Sequence, residues 1–180
     1  AKTSIHNIVF LEGVKAALQA DQDWKGGDYT SPPVRGLKAF GRVYAGWGYS
    51  QTFFREGHYR DLGYETYEDL LVGWEEEHLP WDANDLMVML WTWQNSDISA
   101  NKTYGGDILR ALGSIKARTI VMPCSDDLYF PPEDSEIEVA RMNNAELRVF
   151  NSAWGHCAAV PGDVPAFDGF FDDAVRALLG

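Results

Sequence analysis

The sequence predicts an α/β fold, and three observations point to it. Residues 119–122 form a short unbroken apolar run closed by Pro123, residues 145–150 alternate apolar and polar side chains, and a helix-length segment at 131–142 separates the two. An unbroken run is the form of a strand covered on both faces of a parallel sheet. Strand, crossover helix and strand make a βαβ unit, whose strands lie parallel and adjacent.

The remaining elements follow along the chain. Residues 8–11 are a candidate third strand. After Ser31, with Pro32 and Pro33 in the first turn, Val34, Leu37, Phe40, Tyr44 and Trp47 recur at helical spacing, and the pattern runs on towards Gly63. Gly46 and Gly48 place a bend in it. Thr66 with Asp69 forms a capping-box pattern that opens a helix carrying Leu70, Leu71 and Trp74 and ending before Pro80. Asp82 caps the next helix, with Leu86, Met89, Leu90 and Trp93 on one face. The βαβ unit begins at about Lys116, and a loop with Gly and Pro over 151–163 leads into a last helix. One face of that helix carries Val164, Phe167, Phe171, Val175 and Leu178. This supplies at most three strands, too few for a stable covered sheet, so the remaining strands are expected from another chain or from residues upstream.

Composition narrows the function. The chain has 180 residues, with 15 Lys plus Arg against 27 Asp plus Glu and a net charge of −12. One domain is the default at this length. With that charge and no basic stripe, nucleic acid is not an expected partner. No apolar run approaches the roughly 20 residues that cross a bilayer, and no signal pattern opens the chain, so no membrane partner is expected either. Two cysteines, Cys124 and Cys157, make no disulfide framework and are expected as packed thiols in a reducing, cytoplasmic location. The chain opens on Ala1 rather than Met, which points to processing or an arbitrary boundary.

The chemistry-bearing residues sit in equivalent places. Asp126 and Asp127 follow the first strand, and Gly155-His156 follows the second. Loops beyond the carboxyl ends of parallel strands form the ligand crevice of open α/β sheets, so a carboxylate and an imidazole can meet there. The carboxylate would fix the imidazole tautomer while the ring acts as general base. A nucleophile is missing, because no G-x-S-x-G pattern occurs and Ser50, Ser114 and Ser152 lack the strand-to-helix elbow. Glu75-Glu76-Glu77-His78 lacks H-E-x-x-H spacing and reads as a solvated helix face, so no metal site is expected.

The segment Ser125-Asp126-Asp127-Leu128-Tyr129-Phe130-Pro131-Pro132-Glu133, followed by Ala145-Glu146-Leu147 and Trp154-Gly155-His156, resembles the C-terminal half of a homoserine O-acetyltransferase-like α/β-hydrolase. Asn7-Ile8-Val9-Phe10-Leu11-Glu12-Gly13 resembles the stretch that follows the strand after the nucleophile elbow in that family. The resemblance implies that residues 1–11 end a core strand region, 12–105 form a helical lid insertion, and 106–180 are the C-terminal part of the α/β-hydrolase core. It also implies a serine-dependent acyltransferase that moves an acetyl group from acetyl-CoA to a small alcohol. In that scheme acetyl-CoA is a co-substrate, no cofactor is bound, and the nucleophilic serine comes from a second polypeptide or a removed N-terminal half. An esterase using water as acceptor and a non-catalytic interaction subunit are the alternatives. The superfamily places the triad acid four residues before a proline, which selects Asp127 (with Pro131) over Asp126 and makes His156 the general base. Arg42 and Tyr49, seven residues apart on the long helix, match an arginine and a tyrosine of the family's acceptor pocket, where a guanidinium can hold a carboxylate bidentately. The pattern departs at Cys157, where true homoserine acyltransferases usually carry an aspartate suited to the acceptor's amine. Trp47, Trp74, Trp91 and Trp93 are expected to build the lid core and a homodimer contact.

Overall fold

A computed structural model describes residues 1–160, 162 and 164–180; of the loop expected over 151–163, Pro161 and Asp163 lie outside the described residues. In chain order the elements are α1 (Ile5–Gln19), a 3₁₀ turn (Gln22–Gly27), α2 (Val34–Gly48), α3 (Gln51–Glu56), a 3₁₀ turn (His58–Arg60), α4 (Tyr67–His78) and α5 (Ala83–Gln94). They continue with α6 (Ile108–Gly113), β1 (Thr119–Val121), α7 (Pro132–Val139), β2 (Ala145–Leu147), a 3₁₀ turn (Gly155–Ala159) and α8 (Pro165–Leu179). Two compact units result: a helical unit of Lys2–Trp47 and Tyr59–Ser96, and a sheet unit of Ala1, Gly48–His58 and Asp97–Gly180. Gly48–His58, inside the segment expected as lid, thus groups with the sheet.

In the helical unit, residues 8–11 are not a strand but part of α1. Ser4 caps that helix by accepting a hydrogen bond from the Asn7 N–H, and Phe10, Leu11, Val14 and Leu18 bury one helical face. A four-residue apolar window is ambiguous between strand and helix, and the cap with the spacing of Val14 and Leu18 decides it. Gln94 of α5 donates to Glu12 at 2.6 Å and to the Ile8 carbonyl at 3.4 Å, tying α5 to α1. Leu37, Phe40, Leu70, Leu86 and Leu90 complete this core. Each such side chain contributes about 1.5–3 kcal/mol by leaving water. The capping box of Thr66 and Asp69 is present, and Asp82 accepts from the N–H groups of Asn84 and Asp85. Three expected core residues lie outside: Val34 at the first position of α2, and Met89 and Trp91, because Ala83, Leu86 and Leu90 set the inward face of α5.

In the sheet unit, β1 and β2 pair in parallel, with Thr119 opposite Ala145, Ile120 opposite Glu146 and Val121 opposite Leu147. Pairing breaks after Leu147 and resumes as a Cys124–Phe150 bridge, so the second strand is shorter than the alternating pattern. All of β1 is only half-buried, short of the double coverage its apolar run predicts, because the described sheet has two strands. Helix α8 lies against it through Phe167 and Phe170, whose rings are 5.4 and 5.3 Å from Phe150. Its buried residue is Ala174 while Phe171 is exposed, so the inward face is rotated from the expected one. The long helical pattern towards Gly63 breaks after Gly48, where Ser50 recaps the chain as α3. Among the described residues no helix is long and apolar enough to cross a membrane.

Helices α2 and α4 approach at Gly41, where an added Cβ would lie 2.5 Å from the Trp74 carbonyl oxygen. Gly46, on the same helix, has nothing within 4 Å of that position. Gly41→Ala should therefore destabilise the chain by about 1–3 kcal/mol through overpacking. Gly46→Ala should stabilise it by up to about 1 kcal/mol through helix propensity. Thermal melts of the two variants beside the parent check the opposite signs.

Candidate functional site

Two loops of the sheet unit leave the carboxyl ends of β1 and β2 and are laced together. The Ser125 N–H donates to the Phe150 carbonyl at 2.8 Å, and the Ser152 N–H donates to Ser125 Oγ at 3.1 Å. This lacing brings Asp127 and His156, 29 residues apart in sequence, into contact, with His156 Nδ1 at 3.0 Å from Asp127 Oδ2. A carboxylate accepts, so Nδ1 carries the proton and Nε2 is left as the basic nitrogen. Among the described residues Nε2 makes no hydrogen bond. Asp127 is buried, whereas the His156 side chain is 44% exposed, so the acid is sheltered while its base stays accessible.

The other oxygen of Asp127 is fixed as well. Oδ1 accepts from the Tyr129 N–H at 2.7 Å and the Phe130 N–H at 3.0 Å, the geometry of an Asx turn. Burial alone would raise the Asp127 pKa; the His156 hydrogen bond and the two backbone donors outweigh it and hold the carboxyl below the ordinary aspartate range. Asp126, by contrast, accepts from its neighbour Ser125 Oγ and makes no cap of α7, whose N-cap is Pro131. The aspartate four residues before Pro131 is thus the one that meets the histidine.

The turn carrying His156 depends on a glycine. Gly155 has φ +63°, and a Cβ there would sit 2.9 Å from the Ser50 backbone nitrogen and 3.2 Å from the Asp126 carbonyl oxygen. Only glycine permits both that conformation and that approach. Behind the turn, Tyr49 stacks on Phe53 at 4.0 Å and Trp154 meets Phe53 edge-on at 5.4 Å. Tyr49 is therefore a buried packing residue in the break after α2, not a residue on the long helix. Ser50 Oγ donates to the Ala153 carbonyl and accepts from the Phe53 N–H, which commits that hydroxyl to structure. Ser114 Oγ pairs with Tyr104 and the Ala111 carbonyl, and Ser152 Oγ accepts from the Trp154 N–H.

Arg42 lies in the helical unit, where its guanidinium pairs with Glu75 and Glu68 of α4. Lys38 adds a second cation to Glu75 at 2.9 Å. The carboxylates at Arg42 thus belong to the protein. Glu75 corrects the expectation of a solvated Glu75-Glu76-Glu77 face, since it is buried and its hydrogen bonds from Arg42 and Lys38 lower its pKa. Its partners stand 33 and 37 residues away, beyond local pattern. Cys124 and Cys157 are both thiols, and burial pushes the Cys124 thiol up. Among the described residues no group of three His, Cys, Asp or Glu could hold a metal ion. Tyr129 and Phe130 are site residues that motif spacing did not single out. Their signal was the turn chemistry of an aspartate two and three residues ahead of them.

The depressed Asp127 pKa sets a sign for stability against pH. Its contribution is fully present above the unfolded aspartate value, about 3.9, and is lost as pH falls through the lower folded value. In urea titrations, the parent's margin over Asp127→Asn should shrink as pH falls below about 4. A margin that grows as pH falls through that range would contradict this environment for Asp127.

No protein-family model matches the chain. It is 34% identical over 171 residues to the ethyl acetate hydrolase of Pseudomonas veronii, covering 93% of the chain and 48% of that protein. It is 30% identical over 164 residues to the homoserine O-acetyltransferase of Chloroherpeton thalassium, covering 86% of the chain and 42% of that protein. The solved acetyl esterase MekB superposes with a TM-score of 0.94 at 33% identity, covering 99% of the chain and 52% of that structure. The chain spans about half the length of the curated relatives it matches. It belongs with the esterases and homoserine O-acetyltransferases of the α/β-hydrolase superfamily, of whose fold it carries a part.

Proposed function

We propose that the protein hydrolyses small acetyl esters through an acyl-serine, and that this chain supplies the acid and the base of its triad. The single observation that carries the proposal is the Asp127–His156 pair, with the carboxylate buried and the imidazole accessible. The serine is assigned outside these 180 residues, on an N-terminal half or a second polypeptide. As that Oγ bonds to the ester's acyl carbon, His156 Nε2 takes its proton and passes it to the departing alcohol. Water then attacks the acyl-serine, giving a proton to Nε2, which returns it to serine Oγ as the carboxylic acid leaves. Asp127 stays ionised and stabilises the imidazolium that forms in each half-reaction.

Transfer of an acetyl group from acetyl-CoA passes through the same acyl-serine, and the relatives include enzymes named for it. Two features of this chain favour water as acceptor. Cys157 rather than a carboxylate follows His156, and Arg42 is already engaged by Glu68 and Glu75. An amino-acid acceptor would need charged partners that these positions do not offer.

The test is a product assay on the full-length protein with ethyl acetate, and separately with acetyl-CoA plus homoserine. Acetate released from the ester, with no acetyl-alcohol formed from acetyl-CoA, is the expected result. His156→Ala should lower that turnover on the order of 10⁴-fold. Formation of O-acetylhomoserine would establish transfer instead, and turnover unchanged in His156→Ala would remove the catalytic assignment altogether.

A further inference from the structure

We propose that Tyr129 and Phe130 are positioning residues that hold the His156 ring in its working orientation. This rests on the assignment of His156 as general base. A hydrogen bond from Nδ1 to Asp127 fixes one edge of the imidazole but leaves the ring free to rock about that bond. Two aromatic rings restrict the rocking. Tyr129 meets His156 edge to face at 4.8 Å with an interplanar angle of 77°, and Phe130 lies at 5.5 Å with an angle of 53°. Both distances fall within the range of attractive aromatic pairs. The two rings themselves contact each other at 6.4 Å, so they act as one wall.

The same two residues donate the backbone N–H groups that fix Asp127 Oδ1. One Asx turn therefore performs two tasks: its backbone orients the acid, and its side chains orient the base. Tyr129 is buried and anchors the turn, whereas Phe130 is 46% exposed in this chain. Misplacing a catalytic group by about 1 Å can cost on the order of 10²-fold in rate, so a wall that limits the ring's motion has a measurable value.

The experiment is NMR of the full-length protein labelled at histidine, with His156→Gln used to assign the His156 signals. In the parent, the His156 ring protons should show cross-peaks to both the Tyr129 and Phe130 rings, and the Nδ1 proton should exchange slowly with water. Phe130→Leu, which keeps apolar bulk but removes the ring, should speed that exchange by about tenfold and lower kcat by a similar factor with KM unchanged. Phe130→Tyr, which keeps the ring, should restore both. Absent cross-peaks in the parent overturn the proposal even if the variants fold poorly. Unchanged exchange and kcat in Phe130→Leu, or failure of Phe130→Tyr to rescue, also overturn it. Loss of the proposed esterase activity with the cross-peaks and slow exchange intact would instead refute the function and leave the wall standing.

Discussion

The hydrogen bond between Asp127 Oδ2 and His156 Nδ1 is the contact on which the rest of the site depends. A carboxylate as buried as Asp127 is stable in ionised form only where donors replace the water it has lost. Here three donors do so: the imidazole and the N–H groups of Tyr129 and Phe130. Removing any one leaves a buried charge short of a partner, which costs more than the lost bond is worth. The lacing of Ser125 to Phe150 and Ser152 exists at the point where the two loops must be held in register for that contact. So does the glycine at 155, whose missing Cβ lets the histidine turn close on Ser50 and Asp126.

Much of this was legible in the sequence, for identifiable reasons. The run at 119–122 reads as a strand because β-branched Thr119, Ile120 and Val121 fill it and Pro123 closes it, and the capping box at Thr66 is a local pattern present in the structure. That an aspartate after the first strand could meet His156 followed from their equivalent places after two parallel strands, whereas the choice of Asp127 over Asp126 came from the family resemblance and its acid-to-proline spacing. Residues 8–11 misread because four apolar residues fit either period, and only the cap at Ser4 with the later spacing settles the helix. The surroundings of Arg42 were hidden for a different reason. Its partners Glu68 and Glu75 come from another helix 26 and 33 residues away, and nothing local tells a guanidinium facing substrate from one facing a neighbour. For Tyr129 and Phe130 the local signal reaches only the backbone, as N–H donors to an aspartate two and three residues earlier; the contact of their rings with His156 spans more than 25 residues and lies beyond any local pattern.

The helical unit has its own internal logic. Gly41 lets α2 lie against the Trp74 carbonyl, and one turn of α2 presents both Lys38 and Arg42 to Glu75 of α4. Close backbone approach and a partly buried ion cluster thus act on the same helix pair, the first through dispersion and the second through charge-assisted hydrogen bonds.

The central claim is that Asp127 acts on catalysis through His156, and a double-mutant cycle on turnover in the full-length protein tests it most directly. Residues that work as one unit are strongly non-additive: once His156→Gln has removed the base, Asp127→Asn should cost little more. The double variant should then match the slower single variant within a few fold. Losses that multiply, with Asp127→Asn costing as much in the His156→Gln background as in the parent, would show that the two residues act independently and would contradict the assigned pair.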